Sequence, residues 1–389
     1  MKFSQRTNWN TDESELARAH RERLIAGLPI ADLTASNPTR CGFEFPPDLL
    51  ASLTDPRALD YDPQPLGLSA ARDAVCAYYA DHGAMISRDQ VTLTTGTSEA
   101  YSFLFRLLCD PGSEILAPQP GYPLFDFLAT LDDVQLKPAP FVYDHGWQME
   151  PEGFRRAITP ATRAIALVHP NNPTGHFTKR WEAAELAALC REFELSLIVD
   201  EVFLDYALDP LRASATFAAG LEDVPVFVVS GLSKIAGLPQ MKAGWIVATG
   251  PEHKLATQRL EVIADTFLSL NAPVQWALPA WLRDRQRIQG QILARIKANL
   301  GALDGLLSAQ KEVARLEVEG GWYAVLRIPA LKPDVDTVLD LLDCGVWVQP
   351  GYFFGMGEAG WLVISLLAAE DEFIRGLLLL FGQFNQQKS

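Results

Sequence analysis

Residues 226–234 read Val-Phe-Val-Val-Ser-Gly-Leu-Ser-Lys, passing from an apolar run through a turn of small residues to Lys234. Four apolar residues in a row, without polar alternation, are typical of a strand buried on both faces of a sheet. The residues after Lys234 are again small or apolar. The sequence therefore predicts that Lys234 lies at the end of a buried strand; a solvated surface lysine is the alternative.

Similar apolar runs occur upstream, separated by stretches with helical periodicity. The runs are residues 115–117, 164–168 and 195–199, and residues 180–194 have the apolar spacing of an amphipathic helix. Strands that alternate with helices favour an α/β fold in which a mostly parallel central sheet carries helices on both faces. We therefore expect a large α/β domain that contains Lys234.

The sequence pattern changes after about residue 281. A proline-free stretch from about 281 to 307 predicts a long helix, and the strand-like and turn-like segments beyond it indicate a smaller α+β domain. We predict a large domain of residues 46–289 and a small domain formed by residues 1–45 together with residues 290–389. A helix at the junction, instead of a flexible linker, is compatible with closure of one domain over the other.

Composition disfavours several classes of function. The net charge of −15 disfavours binding to nucleic acid, whose phosphates require basic surfaces. The sequence has no run of 18 apolar residues and a polar N-terminus, so we expect a cytoplasmic protein without a membrane partner. The five cysteines form no Cys-x-x-Cys pair and the six histidines show no metal-ligand spacing, which predicts reduced thiols and no metal site.

Two polar residues follow predicted strands, at the edge where open α/β sheets bind ligands. Asp200 directly follows the run 195–199, and Asn172 lies in the turn Asn-Asn-Pro-Thr-Gly at 171–175, after the run 164–168. A buried carboxylate requires a charged partner, and the protonated ring nitrogen of a ligand is one such partner. A helix N-cap is the alternative role for Asp200, and a simple turn is the alternative for Asn172.

Residues 94–100, Thr-Thr-Gly-Thr-Ser-Glu-Ala, follow a predicted strand at 91–93 and lead into a predicted helix at 100–108. The free N–H groups at the start of a helix, combined with hydroxyl side chains, suit a phosphate dianion. Thr97 and Ser98 are the residues that we expect to contact it. A hydroxyl-rich helix cap without a ligand is the alternative.

The order and spacing of Asn172, Asp200 and Lys234 resemble those of the cofactor-binding residues in the class I and II aminotransferases. These are fold-type I, pyridoxal-phosphate-dependent enzymes of the aspartate aminotransferase superfamily. The resemblance extends over residues 37–365. It implies that Lys234 binds the cofactor as a Schiff base and moves protons. It also implies that Asp200 faces the pyridinium nitrogen and that Asn172 contacts the phenolic oxygen of the cofactor.

The same resemblance assigns the remaining cofactor contacts. Tyr122 corresponds to the aromatic residue that stacks on the pyridine ring, with core packing as its alternative role. Lys242 occupies a position where the family usually has a phosphate-binding arginine, and it would act as a point charge without the bidentate fork. Tyr61 corresponds to a tyrosine that reaches the phosphate of the neighbouring subunit, which implies a homodimer with a shared active site.

Three positions depart from the family pattern. Phe203 replaces a tyrosine that donates to the phenolic oxygen, and Tyr206 is a candidate substitute for that donor. Gly231 replaces a small hydroxyl residue. Val363 replaces the arginine that binds the substrate α-carboxylate, a loss of roughly 2–5 kcal/mol in carboxylate recognition unless another cation compensates.

Without that arginine, substrate recognition needs other residues. Asn37 and Arg40 in the N-terminal loop are the expected substrate contacts, and Arg327 is an alternative cation. Because a second arginine for a side-chain carboxylate is not evident, we predict a ping-pong aminotransferase that acts on a small neutral or apolar amino acid and a 2-oxo acid. The alternatives are a lyase, a decarboxylase or an amine transaminase with the same cofactor. A cofactor-binding regulator is a third class, which the lack of a basic DNA-binding patch disfavours.

Overall fold

The computed structural model describes residues 1–211, 213–221 and 223–386. Its helices, in chain order, are α1 (Glu15–Ile25), α2 (Ser69–Asp81), α3 (Thr97–Leu108), α4 (Phe125–Leu131), α5 (Pro151–Ala157), α6 (Arg180–Phe193), α7 (Leu232–Ile235), α8 (His253–Phe267), α9 (Ala272–Asp284), α10 (Gln286–Leu307), α11 (Asp334–Asp343) and α12 (Glu370–Gln386). Its strands are β1 (Ala31–Asp32), β2 (Val91–Thr94), β3 (Glu114–Gln119), β4 (Gln135–Tyr143), β5 (Trp147–Met149), β6 (Thr162–Val168), β7 (Ser196–Asp200), β8 (Val226–Gly231), β9 (Gly244–Thr249), β10 (Ala314–Arg315), β11 (Tyr323–Arg327), β12 (Val346–Trp347), β13 (Gln349–Pro350) and β14 (Trp361–Ser365). Within these described ranges, none of the helices combines the length and the apolar character needed to span a membrane.

Strands β2 to β9 form one eight-stranded sheet in the order β2-β9-β8-β7-β6-β3-β4-β5. Strands β8, β7, β6, β3 and β4 run parallel to one another. Strand β9 is antiparallel to both of its neighbours, and β5 is antiparallel to β4. The predicted α/β fold with a mostly parallel central sheet is therefore confirmed.

The unbroken apolar runs follow from burial of this sheet on both faces. Along β7, Ile198 packs in one apolar cluster, whereas Leu197 and Val199 pack in another. Helix α3 contributes to the first cluster and α9 contributes to the second. All three β7 side chains have no exposed surface. A strand covered by helices on both sides has no solvated face, so its sequence does not alternate with polar residues.

A second, antiparallel sheet has the strand order β10-β11-β14-β13. Strand β1 pairs in parallel with β12, which joins the N-terminal segment to the C-terminal third of the chain. One apolar cluster includes Ile198 of the large sheet and Ile364 of the small sheet. The boundary predicted between residues 289 and 290 falls inside α10, and the division into two domains stays a prediction.

The prediction of one continuous helix from about 281 to 307 is wrong at the N-terminal end of that helix. Helix α9 ends at Asp284 and α10 begins at Gln286, with Arg285 between them. The buried guanidinium of Arg285 donates to the carbonyl of Leu282 at 2.8 Å and to Oδ2 of Asp81 at 2.8 Å. Because Asp81 lies in α2, far away along the chain, local composition does not reveal this break.

Gly244 in β9 lies so close to the segment before α3 that a side chain does not fit. A Cβ atom at Gly244 would lie 2.8 Å from the Cα and C atoms of Gly96 and 3.0 Å from the carbonyl oxygen of Ser230. We expect Gly244→Ala to lower the free energy of unfolding by about 1–3 kcal/mol, because the neighbouring backbone must move. Urea denaturation measures this change.

Gly290→Ala in α10 is the matched control, since nothing lies within 4 Å of a Cβ atom at Gly290. Alanine in a helix is expected to raise the free energy of unfolding by roughly 0.5–1 kcal/mol at such a position. A Gly244→Ala protein as stable as the wild type would contradict the close contact with Gly96.

Candidate active site

A cavity of about 380 Å³ lies where β6, β7 and β8 end. Val168 and Asp200, the last residues of β6 and β7, line it, and so does Lys234, three residues beyond β8. The predicted site residues that line this cavity are Thr97, Ser98, Tyr122, Asn172, Asp200, Lys234 and Lys242. The fold therefore brings together side chains that are far apart in the sequence.

Lys234 lies on the short helix α7, directly after β8. Its Nζ atom lies 4.8 Å from the ring centroid of Trp322 and 5.8 Å from that of Phe203. Burial lowers the pKa of Lys234 to about 8, while the charge of Asp200 opposes this shift. Roughly a tenth of the molecules therefore carry Lys234 as an uncharged amine at pH 7, far more than for an ordinary lysine, and this is the form that attacks a carbonyl group.

Asp200 is buried and receives two hydrogen bonds. The N–H of Val202 donates to Oδ1 at 3.0 Å, and the hydroxyl of Tyr101 donates to Oδ2 at 3.2 Å. Burial nevertheless raises the pKa of Asp200 to about 6, although these hydrogen bonds and Lys234 favour the charged form. The protein's own donors leave the carboxylate incompletely stabilised, and a cationic N–H group of a ligand would complete its pairing.

The first turn of α3 faces the same cavity. The helix begins at Thr97, three residues earlier than predicted, so Thr97 and Ser98 belong to its first turn. Its N-cap residue, Gly96, provides no side-chain cap, which leaves N–H groups of the first turn available to an anion. The Nζ atom of Lys242 lies 3.7 Å from the position that a Cβ atom of Gly96 would occupy. Together these groups suit a phosphate dianion.

Asn172 and Tyr122 line the cavity from two loops that contact each other. The side-chain amide of Asn171 donates to the carbonyl of Pro120 at 3.1 Å and to Oγ1 of Thr174 at 2.9 Å, which ties the loops together. The side-chain oxygen of Asn172 is buried and has no hydrogen-bond partner in the part of the chain that the structure describes. Burial raises the pKa of Tyr122 to about 12, so its phenol stays neutral beside the cavity.

Phe203 lines the cavity at the position where the family pattern has a tyrosine. The candidate substitute, Tyr206, is directed elsewhere. Its hydroxyl donates to the carbonyl oxygen of Lys234 at 2.6 Å, and its ring packs edge-on against Trp322 with 5.2 Å between the ring centroids. Tyr206 therefore holds the backbone of Lys234, and Phe203 presents an apolar ring to a ligand.

Three predicted residues lie outside this cavity. Asn37 is exposed, and its side-chain oxygen accepts from the N–H and the hydroxyl of Thr39 at 3.1 and 2.9 Å, which caps a 3-10 turn. Arg40 is exposed at the end of that turn. Tyr61 is 85% exposed and borders a separate groove. The structure does not bring these side chains to the cavity, and their roles stay predictions.

Val363 is fully buried at the position where the family pattern has an arginine. It lies opposite Val325 on β11 and packs in an apolar cluster that also contains Phe354. The alternative cation, Arg327, is exposed, and its guanidinium carbon lies 5.5 Å from the ring centroid of Trp361. The position expected to bind a carboxylate is therefore part of a small apolar core.

Tyr101 and Ser36 are among the polar side chains of the site that sequence reasoning missed. Tyr101 lies four residues after Thr97, so helical spacing would have placed both on one face of α3 if the helix start had been known. Ser36 lines the cavity together with Tyr323. Ser36 directly precedes Asn37 in an irregular loop, where sequence alone does not show which side chain faces inward.

The chemistry of this cavity fits pyridoxal phosphate, the cofactor that the sequence resemblance implies. The cavity combines a lysine of lowered pKa, a buried carboxylate of raised pKa and a helix start beside an ammonium group. These groups match the aldehyde, the ring nitrogen and the phosphate of that cofactor. Lys234, Asp200 and Lys242 would hold those three parts, with Asn172 and Tyr122 along the wall between them.

Comparisons with known proteins agree with this chemistry. The family described as aminotransferase class I and II matches residues 53–373. The chain is 28% identical to the glutamate-pyruvate aminotransferase AlaA of Haemophilus influenzae over 337 residues, which are 83% of this chain and 83% of that protein. It is 29% identical to the alanine aminotransferase of Mycobacterium bovis over 337 residues, which are 83% of this chain and 78% of that protein.

Solved structures share the fold. The alanine aminotransferase of Pyrococcus furiosus matches with a TM-score of 0.88 at 24% identity, over 98% of this chain and 100% of that chain. An aminotransferase of Escherichia coli matches with a TM-score of 0.87 at 24% identity, over 99% of this chain and 98% of that chain. Since the family match covers most of the chain, the protein belongs to the class I and II aminotransferases and is a pyridoxal-phosphate-dependent transaminase.

Proposed function

We propose that this transaminase moves an amino group between a small neutral or apolar amino acid and a 2-oxo acid in a ping-pong reaction. The observation that carries the proposal is the charge of the cavity lining: over the described ranges, the cations there are Lys234 and Lys242. Both are assigned to the cofactor, so a negatively charged substrate side chain would meet no further cation from this subunit, whereas Phe203 offers an apolar wall. The names of the relatives, which refer to alanine or to glutamate and pyruvate, support a small substrate.

The side chains of the site have separate tasks in this reaction. Bound pyridoxal phosphate supplies an electron sink for the bonds at the substrate Cα atom. Asp200 holds the proton on the ring nitrogen. Lys234 takes the proton from the substrate Cα atom, because its low pKa makes the free amine available. Thr97, Ser98 and Lys242 hold the phosphate group.

We also propose that the enzyme acts as a homodimer with shared active sites. Tyr61 supports this arrangement, since the sequence resemblance assigns it to the phosphate of the neighbouring subunit and its side chain is 85% exposed. Leu59, two residues earlier, is 90% exposed. Exposed apolar side chains in one short segment are typical of a protein contact surface.

Screening amino donors tests the proposed substrate class. Each amino acid alone is added to the loaded enzyme, and the loss of the absorption band of the lysine-bound cofactor is followed. We expect alanine and other small neutral amino acids to react at least about tenfold faster than aspartate, because a side-chain carboxylate would be buried without a cation. Reaction with aspartate but not with alanine would contradict the proposal.

A second candidate function is favoured by one observation, the apolar surroundings of Val363. A primary amine without an α-carboxylate would need no cation at this position, and a lyase or decarboxylase with the same cofactor is a related alternative. Comparing alanine with isopropylamine separates these functions. We expect alanine to remove the absorption band of the lysine-bound cofactor and pyruvate to restore it. A faster reaction with isopropylamine than with alanine would favour the amine transaminase. Recovery of the band without a 2-oxo acid would indicate a lyase.

The low pKa of Lys234 predicts how cofactor uptake depends on pH. Burial lowers this pKa to about 8, so the neutral fraction of the amine increases as the pH rises through about 8 and then levels off. The rate at which the cofactor-free enzyme forms the lysine-bound cofactor band should follow the same curve. Lys234→Ala is the control, with no such band and no turnover. A rate that keeps rising up to about pH 10 would indicate an ordinary lysine pKa.

A further inference from the structure

The segment 316–323 carries two aromatic side chains to the active site. The ring centroid of Trp322 lies 4.8 Å from the Nζ atom of Lys234, and Tyr323 lines the cavity. Trp322 is fully buried and lies 5.4 Å from Phe203 between ring centroids. The position of this segment therefore determines the shape of the wall that faces Lys234.

Backbone hydrogen bonds attach this segment to two loops at the edge of the large sheet. The N–H of Gly321 donates to the carbonyl of Tyr206 at 3.0 Å, and the N–H of Glu319 donates to the carbonyl of Gly175 at 3.3 Å. The second contact requires glycine, because Gly175 has a positive φ of 70° and a Cβ atom there would lie 2.5 Å from the carbonyl oxygen of Gly320.

The carboxylate of Glu319 adds buried charge to this attachment. Each of its oxygens lies 2.5 Å from Nζ of Lys179, and Oε2 accepts from the N–H of Phe177 at 3.0 Å. Nδ1 of His176 lies 3.5 Å from the same oxygen. Burial opposes the charge, but the hydrogen bonds from His176 and Lys179 outweigh it and lower the pKa of Glu319 to about 2. The carboxylate is therefore charged at neutral pH.

The ionic contacts continue towards α6. Nε2 of His176 lies 2.7 Å from Oε2 of the fully buried Glu182, which also accepts from the N–H of Lys179 at 2.7 Å. Burial works against a charged His176, yet the two neighbouring carboxylates raise its pKa. Lys179, Glu319, His176 and Glu182 thus form a row of alternating charge, and three of them lie within ten residues of Asn172.

We propose that Glu319 is a positioning residue of this transaminase. Through Lys179 and His176, its carboxylate holds the wall at residues 322–323 against the loop that carries Asn172. A buried ion pair adds little net stability compared with apolar side chains of similar size. We therefore assign to this row of charges the task of fixing the position of residues 322–323 relative to the loop that carries Asn172. The proposal depends on transaminase activity and on the described contacts, and it is independent of which amino acid the enzyme uses.

Glu319→Gln tests the proposal, because it keeps the shape of the side chain and removes its charge. In the cofactor-free protein, we expect faster hydrogen exchange at the amides of residues 177, 319 and 321, measured by mass spectrometry. In the loaded enzyme, we expect a shift in the pH midpoint of the cofactor absorption band. We also expect the KM for the amino donor to rise about tenfold, with a smaller loss in kcat, because Tyr323 of the displaced wall lines the cavity in which the donor must bind.

Asp304→Asn is the matched control, since it breaks the Arg315–Asp304 ion pair of 2.7 Å beside the same small sheet. None of these readouts should change in it. If Glu319→Gln does not fold, Lys179→Met tests the same ion pair from its other member. The side chain of Lys179 is 33% exposed, so its replacement disturbs the core less. The double variant Lys179→Met/Glu319→Gln should recover part of the loss, because it leaves fewer unpaired buried charges than Glu319→Gln alone.

Two results would overturn the proposal. One is unchanged amide exchange and unchanged cofactor absorption in Glu319→Gln, and the other is an equal change in Asp304→Asn. Because amide exchange and cofactor absorption require no substrate, these results do not depend on the proposed amino donor. The donor screen can therefore fail while the positioning role is upheld, and the reverse is also true.

Discussion

Burial of Asp200 and Lys234 in one cavity is the constraint on which the active site depends. Burial in this cavity shifts the two pKa values in opposite directions: it raises the pKa of Asp200 to about 6 and lowers the pKa of Lys234 to about 8. The protein therefore stabilises neither of them fully as an ion. A cationic ring that carries an aldehyde would satisfy both, since its N–H would pair with the acid and its carbonyl would react with the amine.

Local sequence predicted which strand ends meet at this cavity, and the family resemblance supplied the cofactor roles expected of their residues. Continuous apolar runs identify β6, β7 and β8, because strands covered on both faces lose polar alternation. Asn172, Asp200 and Lys234 then converge, since parallel strands end at one edge of the sheet. The start of α3 at Thr97 was not predicted, because its N-cap residue is Gly96, which has no capping side chain to mark it. The contact of Arg285 with Asp81, distant along the chain, was not predictable from local sequence either.

The substrate side was harder to predict, and the reason is the irregular N-terminal loop. The position of Arg40 in the chain favours it as a substrate contact, yet Asn37 caps the turn that contains Arg40, and Ser36 lines the cavity instead. Side-chain direction in such a loop follows from local hydrogen bonds and not from a repeating period. Val363 also belongs to the substrate side, because a position expected to bind a carboxylate has become apolar packing, whereas Asn172, Asp200 and Lys234 keep the family pattern on the cofactor side. A shared fold with a shared cofactor thus leaves substrate choice to a few variable positions.

The place of Trp322 gives the enzyme a property beyond catalysis. Its indole lies 4.8 Å from the Lys234 amine, which we propose as the cofactor-binding group, and it is enclosed by protein on all sides. An excited indole so near an absorbing chromophore loses its energy to it without emitting light. The emission of Trp322, one of nine tryptophans in the chain, should therefore fall when the cofactor binds, so the loss of tryptophan fluorescence reports cofactor occupancy.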